Sequence, residues 1–334
     1  MIRIAAVVTL ALAAVGAITV VTLVVRRLLL ARELRRHDAD AARLRPVALA
    51  IVDGEPPEAE LEPGDAIVLA DLLRRYGRQL TGPSRERIGA YLETTGAVEE
   101  ALQELRSRRS WRRAAAAFAL GDMGSRRAAG PLLAALEDHE RDVRAAAARS
   151  LGRLGVVEAV ERLVAALAEV TVPRVIAAQA LVSIGESAAP RLTPLLDADD
   201  PAVRRAALDV LGLVGSAADA ALVVRSLRDP SAEVRSGAAR ALGSLGGRAG
   251  SDELRRSLDD RVAFVRASAA NALARVGDRS AAPALAELAR SDEFAPARAG
   301  AYALSALDPA FLAAEVGRPG ASQYLLEAAD VAAL

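Results

Sequence analysis

The feature that most constrains this chain is a glycine that recurs every 30 or 31 residues. The recurring residues, called the repeat glycines below, are Gly124, Gly155, Gly185, Gly215, Gly246 and Gly277. Leucine stands four residues before each repeat glycine, alanine eight before and arginine eleven before. A fixed period of this length predicts a solenoid, because each repeat covers its apolar face only by stacking on its neighbours.

Each repeat is predicted to contain two helices. In the repeat of Gly155, one face of a helix with 3.6 residues per turn is formed by Val143, Ala147, Ser150, Leu151 and Leu154. Gly155 is expected to end this first helix in a left-handed conformation. The second helix is expected to bury Leu163, Val164 and Leu167. The sequence therefore predicts an all-α fold, a solenoid of about seven two-helix repeats.

The repeat also resembles a known family. Residues Asp229 to Gly246 read DPSAEVRSGAARALGSLG, and Asp138 to Gly155 and Asp260 to Gly277 are similar. This pattern resembles the short HEAT-like repeat of the phycobilisome lyases, over about residues 80–308. The resemblance implies the fold and a concave face lined by the second helices. It implies no lyase activity, because the shared motif is the scaffold itself.

The N-terminus predicts a membrane segment. Residues Ile4 to Val25 contain no charge, and a helix of this length would span roughly 33 Å, enough to cross a bilayer. A cleaved signal peptide is the alternative, but its apolar region is usually shorter. One arginine precedes the segment and five follow it closely. This asymmetry predicts a single-pass protein of the inner membrane with a cytoplasmic solenoid.

The remaining boundaries follow from composition. Residues 1–36 form the predicted anchor with its arginine-rich helix, and residues 37–65 are expected to be a tether because they are polar and rich in turn residues. Residues 66–308 form the predicted solenoid, with a degenerate first repeat. Residues 309–334 follow Asp308, which replaces the repeat glycine, and are predicted to be a C-terminal cap.

Composition excludes several kinds of chemistry. The chain contains no cysteine, so disulfides, thiolate catalysis and thiolate metal sites are absent. The formal net charge is zero, and nucleic acid is therefore not an expected partner. His37 and His139 are far apart in sequence, and no phosphate-binding or nucleophile motif is present. We predict no catalytic residue, no cofactor and no metal site, and we expect that the chain is not an enzyme.

Charged residues recur with the repeat. Aspartate precedes arginine by six residues in the pairs Asp138 with Arg144, Asp229 with Arg235, and Asp260 with Arg266, and Arg204 shares the arginine position. A structural role is predicted, in which each carboxylate accepts hydrogen bonds from arginine or from a helix N-terminus. A catalytic carboxylate would be expected to occur once, whereas these recur.

Two groups of residues are candidates for partner contact. The first is the densest positive cluster, Arg106, Arg108, Arg109, Trp111, Arg112 and Arg113. It could bind phosphate, an acidic protein segment or a membrane surface; alternatively, it is a solvated helix start in which Trp111 fills a groove beneath the first full repeat. The second group lies on the second helices and comprises Glu161, Arg225, Arg255 and Arg256.

The function predicted from these features is a non-enzymatic scaffold or adaptor. It would bind a protein partner, such as a membrane protein, through the solenoid, and the bilayer through residues 4–25. One alternative is an accessory subunit of a membrane enzyme such as a glycosyltransferase, or a lyase-like solenoid. Another is an outward-facing solenoid that binds components of the cell envelope.

Overall fold

The computed structural model describes residues 22–27, 38–55, 61–62, 64–291 and 293–332. Every regular element within these residues is a helix. By its internal contacts the chain divides into two parts. Unit 1 comprises residues 1–103 and 122–126, and unit 2 comprises residues 104–121 and 127–334.

Unit 1 contains a helix where the sequence predicted a tether. Residues 38–53 form this helix, α1, and α2 (Asp65–Gly77) and α3 (Pro83–Thr94) follow. The short apolar run within the predicted tether is the buried side of α1, including Val47, Ile51 and Val52. An amphipathic run that can bury one face forms a helix despite the turn residues around it.

Unit 2 alternates long first helices with shorter second helices. The first helices are α5 (Ser110–Met123), α7 (Arg141–Leu154), α9 (Arg174–Ile184), α11 (Pro201–Val214), α13 (Ala232–Leu245), α15 (Ala263–Val276) and α17 (Phe294–Leu307). Between α3 and α5 lies α4 (Ala97–Glu104). The second helices, most of them extended by a short 3-10 turn, are α6 (Ala129–Ala135), α8 (Val160–Glu169), α10 (Ala189–Leu192), α12 (Ala220–Val224), α14 (Ser251–Arg256) and α16 (Ala282–Leu288). Helices α18 (Pro309–Val316) and α19 (Gln323–Ala332) complete the unit.

The repeated apolar positions form the core of unit 2. The alanine eight residues before the repeat glycine is buried in each repeat, and so is the leucine four residues before it. In α7, for example, Ala147 and Leu151 are completely buried. Because alanine occupies the middle of each first helix, successive first helices can approach closely.

Glycine brings some first helices even closer together. A Cβ atom added at Gly152 of α7 would lie 2.5 Å from the Cα atom of Ala180 in α9. The equivalent distance is 2.9 Å from Gly212 to Ala241 and also from Gly243 to Ala272. A side chain at these positions would overlap the backbone of the next helix. Glycine is therefore required there by space.

The repeat glycines themselves end the first helices in different ways. Gly155 (φ 66°) and Gly277 (φ 71°) adopt the left-handed conformation that the sequence predicted for Gly155. Gly246 also has a positive φ, but Gly215 does not (φ −78°). At Gly215 the constraint is space, because a Cβ atom would lie 2.7 Å from the carbonyl oxygen of Leu211.

The repeated arginines link successive repeats. Arg204 donates from Nε and Nη2 to both carboxylate oxygens of Asp229 at 2.8 Å, and Arg235 donates in the same way to Asp260. Arg113 makes the same pair with Asp138. The sequence had paired residues six apart, whereas the side chains pair across 25 residues.

The six-residue spacing has a different role. Arg204 and Arg235 each donate from Nη1 to backbone carbonyls five and six residues earlier, and Arg144 and Arg266 also donate to the carbonyl six residues earlier. Arg144 has no aspartate in the next turn and donates to the Thr171 carbonyl instead. Arg266 pairs with Glu293.

These ion pairs predict that unit 2 loses stability in acid. Hydrogen bonds from Arg113 and Arg235 lower the pKa of Asp138 and Asp260; burial raises the pKa of Asp229, but bonds from Arg204 and Ser231 outweigh it and the net pKa is lowered. A lowered carboxylate pKa stabilises the fold above the unfolded value of about 3.9, and this stability is lost as pH falls through the folded value.

Urea unfolding measured between pH 7 and pH 3 is therefore expected to give a nearly constant free energy of unfolding down to about pH 5, then a steep fall. The Asp260→Asn variant serves as the control and should show a shallower fall over the same range. A loss that is complete above pH 5 would show that other groups control acid stability.

The predicted transmembrane helix is contradicted. No helix within the described residues is long and apolar enough to cross a membrane. Residues 4–21 of the predicted span lie outside the described residues; the described residues 22–27 are helical and include Arg26 and Arg27. A spanning helix needs about 20 predominantly apolar residues. This finding contradicts the predicted anchor and the inner-membrane location, and it gives no support to the bilayer as a binding partner.

Candidate partner-binding groove

The predicted arginine cluster lies between α4 and α5, and most of it faces solvent. Arg106, Arg108 and Arg109 are exposed, and Trp111 is 62% exposed, so it does not fill a groove beneath the first full repeat. Arg112 stacks on Trp111 and pairs with Glu104 at 3.3 Å. Arg113 is buried and belongs to the arginine–aspartate pairs. His139 is exposed in the turn beside Asp138.

The other predicted contact residues take part in ion pairs on the second helices. Glu161 pairs with Arg191 of the next repeat, and Arg225 pairs with Asp197 of the previous repeat. Arg255 pairs with Asp252 and Arg256 pairs with Glu253, both within one helix. These side chains are already neutralised locally, so they offer a partner little uncompensated charge.

A groove that the sequence analysis missed lies on the opposite row, between first helices. It has a volume of about 620 Å³, and its lining comes from α7, α9 and α11. Val175 and Leu213 contribute apolar surface and are 67% and 69% exposed. This volume falls within the range of binding clefts, roughly 300–1,000 Å³. Large apolar side chains exposed together in a concave surface mark a binding site more often than isolated ones do.

The groove arises from a local change in the repeat. At the third residue before the repeat glycine, glycine occurs in α5, α7, α11 and α13 and alanine in α15, but α9 carries Val182. At the position that faces it on the next helix, alanine or serine is replaced by Val210 in α11. Both valines line the groove, and α9 and α11 pack less closely than α7 with α9, or than the successive first helices from α11 to α17. The two valine side chains therefore keep α9 and α11 farther apart than glycine and alanine would.

The start of α9 is also irregular. Each of the other first helices has 14 residues, whereas α9 has 11 and begins directly after Pro173. Proline restricts the preceding Val172 to an extended backbone, so the helix cannot start a turn earlier. Pro173 therefore shortens the helix that forms one wall of the groove.

The rim of the groove is mainly positive. Arg149 and Arg153 of α7 lie 5.7 and 5.3 Å from the ring centroid of Phe118 and line one side. On the other side, Asp209 is paired with Arg240 at 2.8 Å and Arg205 at 3.5 Å. The groove therefore combines an apolar floor with guanidinium groups at its edge.

The carboxylates with shifted pKa values in the described residues serve as partners of arginine or of backbone N–H groups. Within this described part of the chain, no group of three or more histidine, aspartate or glutamate side chains is arranged to hold a metal ion. The aspartates with lowered pKa values are structural partners of arginine, and they recur with the repeat. The groove itself contains a single carboxylate, Asp209, and no histidine.

Comparison with known proteins supports the repeat architecture. The family model described as HEAT repeats matches residues 98–182, 171–230 and 221–305, which is more than half of the chain. This match and the alternating helices of unit 2 confirm the predicted all-α solenoid of HEAT-like repeats. No curated protein sequence matches the chain.

Several solved structures are similar to this chain. The complex of CpcE and CpcF of phycocyanin lyase from Nostoc sp. PCC7120 is 27% identical, with 70% of this chain and 94% of that chain covered and a TM-score of 0.37. An engineered protein is 22% identical, with 79% of each chain covered and a TM-score of 0.43. Human deoxyhypusine hydroxylase in complex with glycerol is 20% identical, with 81% and 98% covered and a TM-score of 0.33. At these TM-scores the similarities carry no functional inference.

Proposed function

Because this chain belongs to the HEAT repeat family, we propose that it is a non-enzymatic scaffold that binds a partner protein through the groove between α9 and α11. The main support for this proposal is the exposure of the Val175 and Leu213 side chains. When a partner covers exposed apolar side chains in a preformed cleft, their removal from water makes binding more favourable.

The surroundings of the groove favour a preformed surface. The helices on both sides are joined to their neighbours by close glycine contacts, at Gly152 in α7 and at Gly212 in α11. Arg204 of α11 is held by Asp229 and by two carbonyls. A rigid surface loses little conformational entropy on binding, which raises affinity for a given contact area.

The proposal can be tested by crosslinking the full-length chain to its partners in cells and quantifying the captured proteins by mass spectrometry. The Val175→Asp/Leu213→Asp variant places two charges on the apolar floor, and we expect at least a tenfold loss of the captured partner, about 1.4 kcal/mol or more. The control is Leu222→Asp, which changes an exposed leucine of the second helix α12. It should leave capture unchanged.

A second variant tests the groove without adding charge. Val182→Gly with Val210→Ala restores the residue types found at the other junctions, so α9 and α11 are expected to close and capture should again fall. Circular dichroism and thermal unfolding of each variant establish that it is folded. Capture that survives both groove variants, or that falls equally in Leu222→Asp, would overturn the proposal.

A further inference from the structure

We propose that the occupant of the groove is an acidic amphipathic protein segment, in which an apolar side chain lies next to a carboxylate. This inference rests on the proposed function and adds the chemistry of the partner. Its support is the distribution of charge: the first helices carry an excess of positive charge near the groove, although the net charge of the whole chain is zero.

The charge imbalance is strongest at the groove. Two arginines line the groove, Arg149 and Arg153, against the single carboxylate of Asp209, whose charge is shared by two further arginines, Arg205 and Arg240. Asp209 already accepts a hydrogen bond from Arg240 and lies near Arg205. The excess of positive charge therefore remains on the rim, where it attracts carboxylates and repels basic segments.

The same sign continues along the exposed face of the first helices. Beyond their first turns, α15 and α17 add Arg275 and Arg298 to this face. Acidic residues occur there in first turns, as at Asp142 and Glu233. Glu327 of α19 lies 3.9 Å from Arg298. A long acidic segment bound in the groove can thus extend along a surface of the opposite, positive charge.

Aromatic stacking positions the positive rim. The guanidinium groups of Arg149 and Arg153 lie on the ring of Phe118. Within the described part of the chain, Arg149 forms no ion pair. A guanidinium held against an aromatic ring keeps its charge and its outward N–H groups, so it can bind a carboxylate bidentately at a lower entropic cost.

The apolar floor of the groove favours a protein segment over a nucleic acid as its occupant. Val175, Val182, Val210 and Leu213 offer no hydrogen bonds to phosphate or base edges. Proteins that bind single-stranded nucleic acid instead combine a basic groove with exposed aromatic rings. An amphipathic segment satisfies both features of this groove, because its apolar side chain covers the floor while its carboxylate reaches Arg149.

The test is selection of a display library of random short peptides on the full-length chain, with counterselection on the Val175→Asp/Leu213→Asp variant. We expect the enriched peptides to carry Asp or Glu beside Leu, Ile, Val or Phe. Arg149→Glu should weaken their affinity at least about tenfold, and added salt should weaken it as well. The matched control is Arg162→Glu on the second helix α8, which should leave the affinity unchanged.

The possible results separate this inference from the proposed function. Neutral or basic peptides that bind the groove and are lost in the Val175→Asp/Leu213→Asp variant would overturn the acidic segment while supporting groove binding. Binding of a single-stranded DNA oligonucleotide that competes with the peptides and tolerates the loss of the apolar floor would favour nucleic acid instead. Enrichment that is unaffected by any groove substitution would contradict both proposals.

Discussion

Replacing Gly152 with alanine is expected to destabilise unit 2 by about 3 kcal/mol, at the upper end of the usual cost of overpacking. The added Cβ atom would lie 2.5 Å from the Cα atom of Ala180 and 2.9 Å from its carbonyl oxygen. Both atoms belong to the backbone of α9, so rotation of a side chain cannot relieve the overlap. The helices must separate, and the loss of contacts extends along their interface.

The matched control is the same substitution at Gly130 in α6. A Cβ atom there has no heavy atom within 4 Å, and alanine is a better helix former than glycine. Gly130→Ala is therefore expected to stabilise the protein by about 0.5–1 kcal/mol. Urea unfolding of both variants gives the comparison. An unchanged midpoint in Gly152→Ala would show that the close contact between α7 and α9 contributes little to stability.

Replacing Arg235 with alanine is expected to cost about 3–5 kcal/mol, the range for breaking a buried ion pair. The guanidinium group donates to both oxygens of Asp260 at 2.7 and 2.9 Å, and to the carbonyls of Asp229 and Pro230 at 3.0 and 3.2 Å. Its removal leaves a partly buried carboxylate without its cation and two carbonyls without their donor.

An arginine on the same helix provides the comparison. Arg240 of α13 pairs with Asp209, but its side chain is 48% exposed, so Arg240→Ala should cost less than about 1 kcal/mol. A double-mutant cycle of Arg235→Ala with Asp260→Ala then measures the coupling across the repeat boundary. Additive effects would contradict the view that this pair fixes the stacking of α13 on its neighbour.

The positions of the buried side chains in the repeats were predictable from the sequence. The alanine and leucine registers before the repeat glycines are buried throughout unit 2, because a period near 31 residues brings equivalent side chains to equivalent environments. The helix α1 within the predicted tether was harder to predict, because the burial of its short apolar run depends on residues distant in sequence.

The partners of charged residues were not predictable from spacing alone. Arginines and aspartates six residues apart suggested local pairs, yet Arg204 reaches Asp229 in the next repeat. The direction in which a long side chain extends depends on how neighbouring helices stack. Trp111 was a candidate for contact in the sequence, but its exposure depended on packing around the start of α5.

Two departures from the repeat indicated the groove in the sequence, but the regular pattern around them made them easy to miss. Val182 interrupts a series of glycines at one register, and Val210 interrupts a series of small residues at another. Each substitution alone looks like ordinary variation between repeats. Their effect depends on the two residues meeting across one junction, and only the fold places them there.

The sequence by itself determined the helical repeat, its period and the residues that face the core, because these follow from local periodicity and from the size of side chains. The tertiary structure decided which arginine binds which aspartate and where two first helices separate to expose an apolar groove. Those outcomes depend on the distances between helices that are far apart in the chain, which local periodicity does not specify.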